Sequence, residues 1–305
     1  MRSMKFGSLF VGAFVVAAAT MSGTDARSDT KFVGGGTQVL GTHTAADQIE
    51  FLSSPDRILS VTTSNSPSLI WETLEHGEKV ECLQCIPAVT GLLYDQHSQT
   101  REIAAWWLRR RIFGVFGPGQ AYEQTLNVLK SDSNAQKRAY AAYAIGEMLD
   151  QSGIAPLATA IQTDASPIVR AAAASALGRM NSAGNGALST ALMDKEPSVQ
   201  IAAIRAAGRV NEFTDEQTAA KLVGAPQSDV RRLGVQLLED LRAKDTVASV
   251  ITLAQSDSDE NVRIAACHAL GIFQDSSARS ALQGIAANDA STLVRDAATI
   301  ALRRL

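Results

Sequence analysis

Two sets of residues in this 305-residue chain have types and spacing that could do chemistry. The first is Cys82 and Cys85, in the run CLQC. Two thiols three residues apart can close a disulfide, cycle as a redox pair, or supply half of a metal site. Ile86 follows Cys85 where c-type haem attachment needs His, so that chemistry is excluded. The second set is an Asp followed six residues later by an Arg: Asp95/Arg101, Asp132/Arg138, Asp164/Arg170, Asp257/Arg263 and Asp289/Arg295. A carboxylate beside a guanidinium invites a catalytic reading. Recurrence argues for a structural one, since many copies of one active site along a chain would be odd.

The recurrence extends beyond these pairs. Each Arg opens a run of small residues, clearest in RAYAAYAIG from Arg138, RAAAASALG from Arg170 and RIAACHALG from Arg263. Weaker copies start at Arg101, Gln200, Arg231 and Arg295, giving spacings of 37, 32, 30, 31, 32 and 32 residues. A second amphipathic segment precedes each Asp, for example Tyr122–Lys130 and Ile154–Gln162. Each unit is therefore two helices, A and B, joined by a tight Asp-containing turn. Pro167 and Pro197 fall at or just before the first turn of helix B, where a missing N–H costs little. Gly146, Gly178, Gly208 and Gly271 fall near its end, where Gly either stops a helix or permits close backbone approach.

The composition agrees. Alanine accounts for 49 residues, 39 of them after residue 120, while aromatics make up 5%. That excludes an all-β protein and a disordered chain. Formal net charge is −3, with the signs interspersed, so phosphate-neutralising nucleic-acid binding is not expected. The basic run Arg109-Arg110-Arg111 reads as cations at a helix C-terminus.

The Asp-x5-Arg-x-Ala-Ala-x-x-Ala-Leu-Gly pattern resembles the HEAT family, in particular the short repeats of the phycobilisome-lyase type, over about residues 84–305. The resemblance implies an all-α, right-handed α-solenoid of about seven two-helix repeats, with an irregular or helical N-terminal cap, that binds partners on its concave face. It also implies that the Asp and Arg columns tie turns and adjacent units together. The HEAT-like deoxyhypusine hydroxylases bind iron through His-Glu pairs; here His43, His76, His97 and His268 precede Thr44, Gly77, Ser98 and Ala269. No phosphate-binding Gly motif, His-Glu-x-x-His or Gly-x-Ser-x-Gly occurs, so no catalytic residue, metal or cofactor is assigned.

Four segments follow. Residues 1–26 read as a secretory signal peptide, with Arg2 and Lys5 before an apolar run and cleavage expected after Ala26, which implies an exported, periplasmic or extracellular protein. Residues 27–65 are expected to be flexible or partly helical. Residues 66–83 hold a capping helix, with Ser66 as N-cap and Gly77 as stop, and the CxxC loop; residues 84–305 are the solenoid. In an exported protein a disulfide is the leading reading of Cys82 and Cys85, and Cys267 reads as a buried small hydrophobe.

In a repeat array the shared columns describe the scaffold, so binding is sought where the copies differ. Counting from the first residue of each copy, positions −1, +2, +3, +6 and +7 are apolar and small, while +1, +5 and +9 fall on the opposite face of helix B. The contact candidates are Trp106, Arg110, Tyr143, Arg179, Arg205, Arg209, Gln236 and His268, with Glu102, Ala139, Glu147 and Asp240 on the same stripe. The 37-residue spacing exceeds its neighbours by about five residues, located in the segment Phe113 to Gly119, which adds Phe113 and Phe116; these are expected to fold back over the cap in preference to entering a partner or a lipid layer. The function expected is non-catalytic binding of a protein or peptide, with a thiol-redox or chaperone-like accessory role, or a lyase accessory role, as alternatives.

Overall fold

The computed structural model describes residues 54–111, 119–181 and 185–305. The expected signal peptide, the segment 27–53 and the insertion residues Phe113 and Phe116 lie outside the described residues.

Helix starts follow local chemistry. Prolines 55, 67, 167 and 197 sit in first turns, and the Ser54, Ser66, Asn134, Asp215, Asp259 and Ser291 side chains accept from the exposed N–H groups of the helices they open. The first helices are α1 (Pro55–Val61) and α2 (Pro67–His76). Seven A–B pairs follow: α3 (Cys85–Gly91) with α4 (Ser98–Arg110), α5 (Gln120–Ser131) with α6 (Ala135–Met148), α7 (Ile154–Thr163) with α8 (Pro167–Met180), α9 (Asn185–Leu192) with α10 (Pro197–Ala207), α11 (Glu216–Lys221) with α12 (Ser228–Leu241), α13 (Val247–Ser256) with α14 (Glu260–Phe273), and α15 (Arg279–Asn288) with α16 (Thr292–Leu302). The cap α1–α2 is built like a repeat, with α1 against α3 and α2 against α4.

Each unit buries its small-residue face against its neighbours, so stability is a sum of nearest-neighbour contacts. Helices α6, α8 and α10 meet far more extensively than the A helices beside them. The more tightly spaced layer lies inside the bend, so the B helices form the inner, concave face. Glycine permits this spacing: an added Cβ at Gly146 would lie 2.7 Å from Cβ of Ala176, and one at Gly178 would lie 2.6 Å from Cα of Ala206. Close approach, rather than termination, is therefore the role of these two glycines. The B helices α6, α8, α12 and α14 end three residues beyond that position, on Leu149, Asn181, Arg242 and Gln274, all left-handed at φ 46–58°.

The Asp and Arg columns form a ladder along the edge of the stack made by the A–B turns. Arg138 binds Asp164 through two nitrogens at 2.7 and 2.8 Å, Arg170 binds Asp194 at 2.6 and 2.9 Å, Arg231 binds Asp257 at 2.6 and 2.8 Å, and Arg263 binds Asp289 at 2.9 and 3.1 Å. Each Arg also donates to a carbonyl in its own turn, and each of these Asp accepts the N–H two residues on. One side chain thus closes two turns in successive repeats. Two junctions lack the rung. Arg101 stacks on Tyr140, 3.9 Å from the ring centroid, instead of reaching Asp132. Between the fourth and fifth repeats both partners are replaced, by Gln200 and Ala225, so the pair is lost as a unit.

Burial pushes the Asp164 and Asp194 carboxyls up, but Arg138, Arg170 and the turn N–H groups outweigh it. At Asp257 and Asp289 the Arg hydrogen bonds are themselves the largest influence. All four stay below the ordinary carboxylate range. Carboxyls depressed in the folded state add stability above their unfolded value, near pH 4, which is lost as pH falls through their folded values. Asp194→Asn is therefore expected to lower stability by about 2 kcal/mol at neutral pH. In urea titrations the deficit should shrink steadily below pH 4; a deficit independent of pH would mean that the Asp194 charge contributes nothing.

Candidate functional site

The inner face is built from positions +5 and +9 of stacked B helices. At +5, Tyr143 (44% exposed), Arg205, Gln236, His268 and Ile300 (50% exposed) project outward, while Ser175 is half-buried. At +9, Arg110, Arg179, Arg209, Asp240 and Arg304 are exposed. The expected exposed face is narrower than the stripe read from the sequence. Position +1 faces the neighbouring B helix, where Ala139 is buried at 2% and most of the column is half-buried. Trp106 is half-buried against the core, so of the two aromatic candidates Tyr143 is the one that stands out.

Several of these residues are brought together. The Arg179 guanidinium pairs with Glu147 of the preceding repeat and lies 3.7 Å from Glu102, one repeat further back. Burial raises the Glu147 carboxyl, and Arg179 opposes that shift without cancelling it. His268 meets Glu239 at 2.8 Å, and Arg110 meets Glu81 at 3.4 Å. Arg205, Arg209 and Asp240 make no ion pair among the described residues. Burial, then the neighbouring Glu239, raises the Asp240 carboxyl. A groove of about 670 Å³ runs across α12, α14 and α16, lined by Arg232, Gln236, Glu239, Asp240, His268 and Arg304 together with Ile264 and Ile300.

Cys82 and Cys85 are joined in a disulfide; they are 3% and 0% exposed. Cys85 opens α3, and its sulfur lies 3.7 Å from the Pro55 carbonyl oxygen of α1, so the bridge sits where the cap meets the first repeat. Cys267 is fully buried, and that burial pushes its thiol up to about 12. Among the described residues, no group of three or more His, Cys, Asp or Glu side chains is placed to hold a metal, and no helix is long and apolar enough to cross a membrane.

Arg111 was read as a cation at a helix end, and the structure corrects this: its side chain is fully buried. Its Nη2 donates to the carbonyls of Gly77, Glu78 and Val80 at 2.9, 2.6 and 2.8 Å, and Nη1 donates to Trp107 O at 2.7 Å. The guanidinium lies 3.5 Å from the Trp107 ring centroid, and Trp107 Nε1 donates to Gly77 O at 3.0 Å. Most of the carbonyls complemented here belong to the turn after α2, and one, Trp107 O, belongs to the last turn of α4. Burial lowers the Arg111 pKa to about 10, which leaves it charged at neutral pH. A signal for this was present: position +10 holds Met148, Met180, Val210 and Phe273 in other repeats, all buried. An Arg in a core column is an Arg that turns inward.

Paired helices stacked through nearest-neighbour contacts, with a shared scaffold ladder and an unshared inner face, define an α-solenoid repeat protein. The chain belongs to the HEAT repeat family, whose model matches residues 122–188 and 216–303. Escherichia coli YibA is similar in fold, with a TM-score of 0.55 at 16% identity over 88% of this chain and 100% of that one. Kap95p, solved with RanGDP, has a TM-score of 0.58 at 14% identity over 86% of this chain and 39% of that one. The CpcE–CpcF complex of phycocyanin lyase from Nostoc sp. PCC7120 matches at 0.40 and 17% identity, over 72% of this chain and 94% of that one. No curated protein matches the sequence.

Proposed function

We propose that the protein is a non-catalytic scaffold of the cell envelope that binds a protein or peptide along its inner helix face. The observation that carries this reading is the +5 column, where Tyr143, Arg205, Gln236, His268 and Ile300 stand exposed on successive or near-successive B helices and share no chemistry. A column that packing does not dictate is free to serve recognition, and aromatic residues with Arg are the composition of interface hot spots. A catalytic use of the recurring Asp and Arg competes with their use in the ladder, where both groups of each closed rung are already bonded. Kap95p, similar in fold, binds the protein RanGDP. The export half of the proposal rests on the signal-like residues 1–26. A thiol-redox role is disfavoured because exchange needs an accessible sulfur, and both bridged cysteines are buried.

Site-specific photocrosslinking tests the reading. A photoreactive residue at Tyr143, Arg205 or Gln236 should capture a discrete partner in the native host, whereas one at the exposed A-helix positions Thr159 or Gln283 should not. Equal capture from both layers would overturn the inner-face assignment.

A further inference from the structure

We propose that α12 is a recessed helix, set back from the B layer toward the turn after α11 and propped away from α14 by Glu239, and that this displacement opens the groove on the inner face. The inference concerns how that face acquires its depth and stands whether or not a partner binds there.

Two packing columns carry the first half. Position +8 of one B helix meets position +6 of the next: an added Cβ at Gly146, Gly178 or Gly271 would lie 2.8, 2.6 or 3.0 Å from Cα of Ala176, Ala206 or Ala301. In α12 both columns change. Leu237 stands at +6, where α6, α8, α10, α14 and α16 have Ala, and Glu239 stands at +8, where α6, α8, α10 and α14 have Gly. A single added carbon is already too close in this register, and Glu carries a further carbon and a carboxylate beyond it. Neither residue fits between helices packed as α6 and α8 are, so α12 stands off from both B neighbours.

A third column supplies the room. At +3 the other six B helices have Ala, but α12 has Gly234, where an added Cβ would lie 2.6 Å from Cβ of Leu222 in the turn after α11. The close contact that Gly makes between B helices at Gly146, Gly178 and Gly271 is thus transferred, in the fifth repeat, to a contact between the layers. The surroundings agree. An added Cβ at Gly208 meets only Asp240 Oδ2 and Ile204 O, with no part of Leu237 within 4 Å. Helix α12 packs less extensively on α10 and α14 than α8 does on α6 and α10. Glu239 stays in the gap instead of turning to solvent: its side chain is 20% exposed and meets His268 Nδ1 of α14 at 2.8 Å. The groove opens along this same pair of helices.

The test restores the common residues in the full chain, as Gly234→Ala/Leu237→Ala/Glu239→Gly, and measures distances between nitroxide labels by electron paramagnetic resonance. Cys82 and Cys85 are bridged and Cys267 is buried with its thiol pushed up to about 12, so labels go to introduced cysteines. Packed helix axes range over about 8–10 Å, so closing the α12 junctions should shorten the Tyr143→Cys/Ile300→Cys distance by about 2 Å or more. The Tyr143→Cys/Arg205→Cys distance, which lies wholly before α12, should not change. A folded triple variant with an unchanged Tyr143–Ile300 distance overturns the proposal. A single substitution covers the case in which the triple variant does not fold. Helix propensity alone would make Gly234→Ala stabilising, but the recess requires it to lower the thermal midpoint. Gly284→Ala, where an added Cβ meets nothing within 4 Å, should raise the midpoint slightly. A Gly234→Ala midpoint at or above the parent's overturns the proposal as well.

Discussion

Arg111→Leu is expected to destabilise the N-terminal end of the array by about 3 kcal/mol or more, the cost of leaving several interior carbonyls without donors. The opposite case has physical weight. Burying a guanidinium is expensive, among the described residues no carboxylate lies within ion-pair distance of it, and burial, opposed only in part by Glu81 and Glu78, lowers its pKa to about 10. Leucine also suits a column that is apolar in other repeats. What decides the balance is the partner side. The Glu78, Val80 and Trp107 carbonyls receive Arg111 bonds at 2.6–3.2 Å in or beside the half-buried turn, and removing the guanidinium leaves them short of donors. Arg111→Lys keeps the charge but loses the planar fork, so a smaller loss is expected. Urea denaturation with limited proteolysis around residues 77–85 reads both effects. A leucine variant as stable as the parent would mean that the turn finds other donors.

Gly178→Val should cost at least about 3 kcal/mol, because the first added carbon already falls 2.6 Å from the Ala206 backbone. No side-chain rotation relieves a backbone contact, so α8 and α10 must separate, and Val adds two further methyls. Gly208 supplies an internal control. It occupies the same column one repeat later, but an added Cβ there meets nothing closer than Asp240 Oδ2 at 3.4 Å. Its φ of −65° is open to any residue, so Gly208→Ala should be neutral or slightly stabilising. Thermal melts of the two variants should diverge by many degrees; matching melts would remove the close-approach account of the glycine column.

Much of this was legible in the residues, for reasons that differ by column. The A–B alternation was readable because a small-residue face repeated every 30–32 residues has one economical packing solution. The ladder was readable in kind, since an Asp and an Arg kept at fixed spacing through degenerate surroundings must meet something in every copy. Its exception at Arg101 was not, because nothing in the first two copies shows that Tyr140 offers a competing ring. Gly146 and Gly208 look alike in sequence, yet only the stacking of the next helix shows that one is a contact and the other a helix end. Arg111 was misread because its two Arg neighbours suggested a solvated run; alignment with the other copies would have placed it in the core. The inner face was readable as a column, but its width was not: Ala139 is buried and most of position +1 is half-buried, an effect of stacking rather than of any single amphipathic pattern.

The rung missing between Gln200 and Ala225 has a mechanical meaning. It coincides with the shortest A helix of the array, Glu216–Lys221, and with a B–B contact less extensive than those at the neighbouring junctions. In an assembly whose units hold only their neighbours, deformation concentrates at the most compliant link. The array is therefore expected to flex most readily at this junction, where a rotation of a few degrees alters the separation of Arg209 from Asp240 while leaving the adjacent intact rungs undisturbed.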